Sequence, residues 1–583
     1  MKSWTAEEIE AVLCHVPPPS PIPKMTDRPP WERLREKEAI LESAEKLVSE
    51  PIQPLPATTY LRTSRDGNRT EFEKVSFGRR ERLRHLVLAS ALAGDDRFLD
   101  PLIDIWCAIC DESTWYHPAH DLNLAEFEGT GRGIDLMAAQ TGFDLAESDH
   151  ILGELLPGFV RTRTRVEVEK RIFSRYLSDA EATYGWKNGH NNWTAVCAGN
   201  IAGTALHLME DRKRLGVLLE RVLASLDLFI RNAFCEDGAS NEGVGYWTYG
   251  FGHYVLIADL LRRATGGKID LLDDEKARSI NLFPLRVQLA PGVFPIFADC
   301  RREVRIGPWL SAFLAEETGD EGWRSYARRE GSARLTGLSY RNLFSAEVAE
   351  GPEPELSPVD YLPDSQIWMA RSGPLAVAAK GGHNAENHNH NDLGSFMVAV
   401  DGEVLVAEMG APVYTRDTFN EHRYECPAIN SWGHSVPLVC GFQQCEGLQA
   451  TAQVIAQKDL QAESVFSLEL AAAYPEAAGL RSLLREFKFS RSGASALVIT
   501  DTFDWQGEPG TWEEAIITFA KVEPFVGGAF LKGERATLRV ECSSPVEIRV
   551  EAVDVEMRDG ATPYRVALVP EAPSPERIRL RFA

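Results

Sequence analysis

The stretch "ENHNHNDLGSFMVAV", residues 386–400, sets two histidines one residue apart and runs at once into an apolar segment of period two. Such alternation marks a half-buried β-strand, not a helix. Asp401-Gly402 follows, a dipeptide that tolerates positive φ and closes a two-residue hairpin. "EVLVAEMG" then reads as the returning strand, and pairing about the turn sets Glu408 opposite Ser395, near the histidine end. In extended chain His388 and His390 share a parity, so both rings project from one face. His434 opens a further strand, "SVPLVCGF".

Outward from this point the chain has two periods. Beyond about residue 360 it is a succession of short β-rich segments, among them "LAVAAKGG", "REFKFSRSG", "ALVITDTFDW" and "RIRLRF", broken by Gly, Asp and Pro. Antiparallel sheets or a β-sandwich follow from that pattern. Before about residue 345, segments such as "PPWERLREKEAILESAEKLVSE", "NNWTAVCAGNIAGTALHLME" and "LGVLLERVLASLDLFIRNAF" carry apolar residues at three and four spacing. Short Gly/Asp/Pro loops between them imply antiparallel helical hairpins closing into a layer or ring. The expected division is a helical domain over 1–348, a Pro-rich linker over 349–365 ("AEGPEPELSPVDYLPDS") and a sheet domain over 366–583.

The 583 residues are 44% hydrophobic and 25% charged, a globular composition. A net charge of −24 argues against nucleic acid or an anionic membrane as partner, since both need a basic footprint. The run "RTRTRVEVEKR", 161–171, reads as a solvated helix face or, less readily, a patch for a small anion. Ten irregularly spaced cysteines fit reduced thiols, and Cys107 and Cys110 fall in a helical pattern. The N-terminus lacks the apolar core of a secretion signal, so a cytoplasmic location is expected, or a periplasmic or secreted one if a leader has been trimmed. Monomer and homodimer both suit such a chain.

His390, Glu408 and His434 offer two imidazoles and a carboxylate from different strands, with Asp392 a spare carboxylate nearby, a donor set suited to zinc or another divalent ion such as Mn or Ca. Turn and capping roles at a strand entrance explain the same residues about as well. In the helical half, "GHNNW" places His190, Asn191 and Asn192 at a helix start, where capping accounts for one asparagine and not for the group. "EDGASNEGVGYWTYGFGHYV" then puts Tyr246, Tyr249 and His253 at helical spacing, a pattern that core packing also produces.

Together "NNW", "EDGASNEGVGYWTYG", "FPIFADC", "NHNHNDLGSF" and "NSWGHSVP", in that order over about residues 185–440, resemble the heparinase II/III group of polysaccharide lyases. The resemblance implies an incomplete (α/α) toroid followed by an antiparallel β-sheet domain, with a cleft between them and β-elimination in a uronic-acid glycan. Carried over by position, it implies that Asn192 neutralises the uronate carboxylate and that Tyr246 and His388 are the catalytic pair. It further implies that His390, Glu408 and His434 hold a structural metal, with Glu408 standing where the family commonly has aspartate. His190, Asn191 and Tyr249 are further catalytic candidates, and Arg301, Trp193, Trp247 and Glu242 are candidates for substrate contact.

Abstracting C5–H beside a carboxylate creates a dianionic enolate, so hydrogen-bond donors or cations must face that carboxylate. A base must take the proton and an acid must protonate the departing O4, duties that Tyr246 and His388 can divide or that Tyr246 can perform alone. The expected substrates are glycosaminoglycans such as heparin or heparan sulfate, hyaluronan or chondroitin, with alginate oligosaccharides as the alternative. Three other readings stand beside this one: a cupin-like metal oxygenase, a toroid glycoside hydrolase using Asp237 and Glu242, and a non-catalytic glycan-binding protein.

Overall fold

The computed structural model describes residues 2–14, 20–178, 184–329, 339–345, 348, 351, 353–493, 495–570 and 576–583. Helices dominate the N-terminal part and antiparallel sheets the C-terminal part, the class expected from the change of period. Two compact units share the chain, and neither is continuous. The first takes Met1–Ala233, Thr248–Arg278 and Ile306–Gly351, and the second takes Phe234–Trp247, Ser279–Arg305 and Pro352–Ala583. The first turn of the helix Gly243–Ala264, which carries Tyr246, therefore belongs with the sheets.

In the first unit, Trp193–Leu208 is buried along nearly its whole length and packs against Leu136–Leu152 and Arg212–Asn232. Small residues permit this approach: a Cβ on Gly203 would lie 2.6 Å from the Phe143 ring. Asp135 and Asp211 cap the two neighbouring helices by accepting from Ala138 N–H (2.9 Å) and Arg214 N–H (3.1 Å). The segment read as one helix from Pro29 is two, Arg28–Glu32 and Lys37–Ser49, because Trp31 is drawn into the core and its indole donates to Lys24 O. The arginines of 161–171 are spent on ion pairs, Arg161 with Asp149 (2.8 Å), Arg163 with Asp111 (2.7 Å) and Arg171 with Glu167 (2.7 Å). That run is a charge-balanced face and not an anion patch.

In the second unit, a five-stranded antiparallel sheet runs in the order Val359–Leu362, Ile367–Ser372, Leu375–Lys380, Phe396–Val400, Glu403–Val406. Its first strand falls inside the span read as linker, of which residues 349, 350 and 352 lie outside the described residues. An eight-stranded sheet shares its core, with Phe396 edge-on to Phe487 and Phe582 at 5.8 and 5.3 Å and Trp368 stacked on Phe466 at 5.7 Å. Alternation supplies this face: in "RIRLRF" Ile578, Leu580 and Phe582 are buried while the arginines between them are exposed. Asp401 and Gly402 both take positive φ, as the primed hairpin turn requires. A bulge between Val398 and Ala399 shifts the pairing by one residue. All ten cysteines are thiols, none joined in a disulfide.

Candidate functional site

The histidine stretch is a loop and not the start of a strand. The strand begins only at Phe396, whose ring anchors the loop's end in the sandwich core. Asn389 N–H donates to Glu386 O (3.3 Å), and His388 takes φ 58°, left-handed backbone that costs a non-glycine residue about 1–3 kcal/mol and gathers at functional sites. The shared parity of His388 and His390 therefore does not apply. Both rings nevertheless reach one carboxylate, that of Asp299: His388 Nδ1 lies 2.8 Å from Oδ2 and His390 Nε2 2.9 Å from Oδ1.

Asp299 is the hub that sequence reading passed over, although it lies in the quoted "FPIFADC". Ala298 before it has φ 61°, and Asp299 N–H donates to His388 O (3.2 Å), so the segment turns its carboxylate inward beneath the loop. Arg423 Nη2 (3.1 Å) and the Tyr414 hydroxyl (3.0 Å) donate to the same carboxylate. Burial works to raise this carboxyl, but the two imidazoles and Arg423 outweigh it and hold Asp299 well below the ordinary carboxylate range. An ionised carboxylate only accepts, so the Asp299 contacts place the protons on His388 Nδ1 and His390 Nε2. In the neutral ring this tautomer makes His388 Nε2 the acceptor.

Tyr246 stacks on His388 with ring centroids 4.3 Å apart, and its hydroxyl is 2.9 Å from that of Tyr414. Tyr414 spends its proton on Asp299, so Tyr246 O–H donates to the Tyr414 oxygen. Burial pushes the Tyr246 hydroxyl up to about 12, partly countered by Tyr414 and Arg558. Phe419, 59% exposed, stands edge-on to His388 at 5.5 Å and offers an apolar surface beside it. Tyr414, Phe419 and Arg423 lie between two of the quoted motifs at no regular spacing, and no pattern in the sequence marks them.

A second cluster lies among the strands. Ligand atoms of Asp392, Glu408 and His434, all buried, lie within 4.8 Å of one another. Glu408 accepts from the Ser395 hydroxyl, the expected neighbour, and its other oxygen meets His434 Nδ1. Burial disfavours the charged His434 ring, but Glu408 more than offsets it and raises this histidine. Asp392, the spare carboxylate, thus stands with Glu408 and His434 where the expected trio had His390. His390 is 5.1 Å from His434, ring to ring, and turns Nε2 to Asp299. His390 Nδ1 and His434 Nε2 are buried without a hydrogen-bond partner, two imidazole edges of the kind a divalent ion takes. Lys380 Nζ, 2.7 Å from Asp392 Oδ1, is the cation beside them.

Other sequence candidates separate. Trp247 is wholly buried and its indole donates to Ile280 O (2.9 Å), which removes it from substrate contact. Asp237 accepts from Ala239, Asp364 and Ser365 N–H groups and Glu242 is buried, so this pair does not flank an open bond as a hydrolase needs. Arg301 is exposed, two residues beyond Asp299. His190, Asn191, Asn192, Trp193 and Tyr249 belong to the helical unit. There Asn192 is buried at the N-cap position but makes no side-chain capping bond, while Asn191 Oδ1 accepts from Trp193 N–H (3.1 Å). His190 is exposed, and the Tyr249 hydroxyl accepts from Gln140 Nε2 (3.1 Å). Trp193 meets His120 at 4.4 Å, and His120 Nδ1 is 2.7 Å from the buried carboxylate of Asp135.

No family model and no curated protein matches the sequence. Solved structures do match. Heparinase III aligns at TM-score 0.62 and 11% identity over 96% of this chain and 91% of that one. A heparan sulfate lyase from Pedobacter heparinus aligns at TM-score 0.56 and 11% identity, covering 94% of this chain and 88% of that one. A Streptomyces coelicolor A3 chondroitin AC lyase, solved with chondroitin sulphate, aligns at TM-score 0.52 and 10% identity over 94% and 82%. The chain therefore has the fold of heparinase-like polysaccharide lyases, across nearly its whole length.

Proposed function

We propose that the protein is a polysaccharide lyase that cleaves uronic-acid-containing glycans by β-elimination. The observation that carries this reading is Tyr246 stacked on His388, the histidine bonded directly to Asp299 and the tyrosine linked to it through Tyr414, on a fold shared with heparan sulfate and chondroitin lyases. His388 takes the C5 proton on Nε2, the nitrogen that the Asp299 contact leaves bare. Electrons of the C5–H bond become the C4–C5 double bond, and the C4–O4 bond breaks. Tyr246, protonated at neutral pH and pushed further up by burial, to about 12, gives its proton to O4. The Tyr414 hydroxyl can then turn to the phenolate that remains. No water is consumed, which separates this reaction from hydrolysis.

Glycosaminoglycans (heparan sulfate, hyaluronan or chondroitin) are the proposed substrates, and alginate oligosaccharides are the second reading. Glu408, His434 and Asp392, with Nδ1 of His390, would hold a divalent ion, zinc by donor type. When bound, that ion supplies fixed charge that stiffens the strand end behind the histidine loop.

The test is ultraviolet absorbance of the conjugated enoate with wild type, Tyr246→Phe and His388→Ala on glycosaminoglycan and alginate oligosaccharides. Absorbance that rises with wild type and with neither folded variant supports the reading. No rise on any uronate glycan sinks it. Metal analysis of the purified protein tests the ion separately, and protein free of any bound divalent metal would remove that part alone.

A further inference from the structure

The turn "DVEMRDG", residues 554–560, lies outside every motif that points to the site. It closes through Gly560 N–H donating to Met557 O (3.0 Å) and docks on the segment before Tyr414. Met557 bridges Pro412, and Val413 N–H donates to Glu556 O (2.8 Å). Arg558, at the tip, donates from Nε to Pro412 O (3.1 Å), and its guanidinium lies 3.8 Å over the Tyr414 ring. Tyr414 is the residue whose hydroxyl meets that of Tyr246.

We propose that Arg558 reads an anionic substituent of the bound sugar, a carboxylate or a sulfate, at the Tyr246–Tyr414–His388 site; this rests on the glycan reading above. Three observations carry it. Asp559, the carboxylate next in sequence, is taken by Arg302 at 2.5 Å, and among the described residues no carboxylate pairs with Arg558. Leaving a cation unpaired beside tyrosines is notable in a chain of net charge −24. Arg558 is exposed, and anchoring Nε leaves both terminal nitrogens to form the planar fork that grips carboxylate and sulfate oxygens. Stacking on Tyr414 fixes the direction of that fork before any ligand arrives, so little side-chain entropy is lost on binding. The same charge pulls the Tyr246 and Tyr414 hydroxyls downward, against their burial.

The test uses the full chain with Arg558→Gln and Arg558→Lys, on heparan sulfate, its desulfated form, chondroitin sulfate and hyaluronan oligosaccharides. Turnover is read as enoate absorbance, and binding by calorimetry to Tyr246→Phe protein with and without Arg558→Gln. KM is expected to rise about tenfold or more with Arg558→Gln, kcat changing less, and Arg558→Lys falling between because charge without the fork is a weaker grip. A loss confined to sulfated glycans assigns the fork to a sulfate ester, and an equal loss on all assigns it to the uronate carboxylate. If wild type binds a glycan without eliminating it, the lyase reading fails, and weaker binding by Arg558→Gln still supports the anion site. Unchanged KM and unchanged binding overturn it, as does a wild type that binds none of these glycans.

Discussion

Tyr246 and Tyr414 share a hydrogen bond of 2.9 Å between hydroxyls although they stand 168 residues apart. Tyr414 in turn donates its own O–H to Asp299, so one chain of donors runs from Tyr246 through Tyr414 to the carboxylate. If Tyr246 becomes a phenolate during turnover, Tyr414 is the donor that meets it. Tyr414→Phe is therefore expected to lower kcat on the substrate glycan by about 10²-fold with KM nearly unchanged. Stopped-flow or steady-state enoate absorbance checks it, and a variant with wild-type kcat would leave Tyr414 as packing.

Asp299→Asn tests the hub. An amide can present its oxygen to His388 or its nitrogen to it, and the tautomer with Nε2 bare is no longer enforced. Roughly 10²–10⁴-fold loss in kcat is expected, the range seen when a carboxylate that orients a catalytic imidazole becomes an amide. Arg423 also loses its ionic partner, so some stability falls with it. A thermal melt beside the kinetics separates the two effects. A folded Asp299→Asn enzyme with full activity would show that His388 needs no orientation from below.

Much of this arrangement was legible in the sequence, and what was missed has physical causes. The change from helical to alternating period placed the sheets because alternate residues of strands such as Arg577–Phe582 face one shared core. His388 and His390 were found by the density of imidazoles, and Glu408 by counting about the Asp401-Gly402 turn, where side-chain reach absorbed a one-residue bulge. Asp299 was not distinguished, because a lone aspartate shows its burial only once two distant loops close on it. Tyr414 and Arg558 were invisible for the same reason: they meet across 144 residues with no periodicity to relate them. Trp247 misled because an aromatic on a motif helix reads alike whether it faces a ligand or the core.

Stability of the helical unit should fall in mild acid. His150, His207 and His253 are pushed down to about 4 by burial, against an ordinary value near 6.5. In the unfolded chain these rings protonate first, so between about pH 6.5 and 4 the unfolded state binds more protons than the folded one. Stability is then full above pH 6.5 and declines as pH falls toward 4, by up to about 1.4 kcal/mol per pH unit for each ring. Calorimetric Tm between pH 7.5 and 4 measures the slope. His253→Gln should make that slope shallower, and a Tm that does not move across this interval would contradict the assignment of neutral buried rings.

Arg485 decides whether the histidine loop is held by charge or by shape. Wholly buried, it meets Asp501 at 2.8 and 2.7 Å and Glu514 at 2.8 Å, and its Nη1 donates to Gly394 O (3.0 Å) and Ser435 O (2.9 Å). Those carbonyls end the "HNHNDLG" loop and follow His434, so one side chain ties both segments to the sandwich. Gly394 sits there with φ 84°, and a Cβ on it would come 2.7 Å from Leu470. Burial and the adjacent Asp501 push Glu514 well above the usual carboxylate range, so Asp501 is the main counter-ion of Arg485. Arg485→Met strands Asp501 and is expected to cost about 3–5 kcal/mol in chemical denaturation. Adding Asp501→Asn removes the stranded charge and should return part of that loss. Activity should stay low in the double variant, because the donors to Gly394 and Ser435 remain absent whatever the charge balance. Recovery of kcat together with stability would mean that Arg485 serves only as a counter-ion and that the loop keeps its shape unaided.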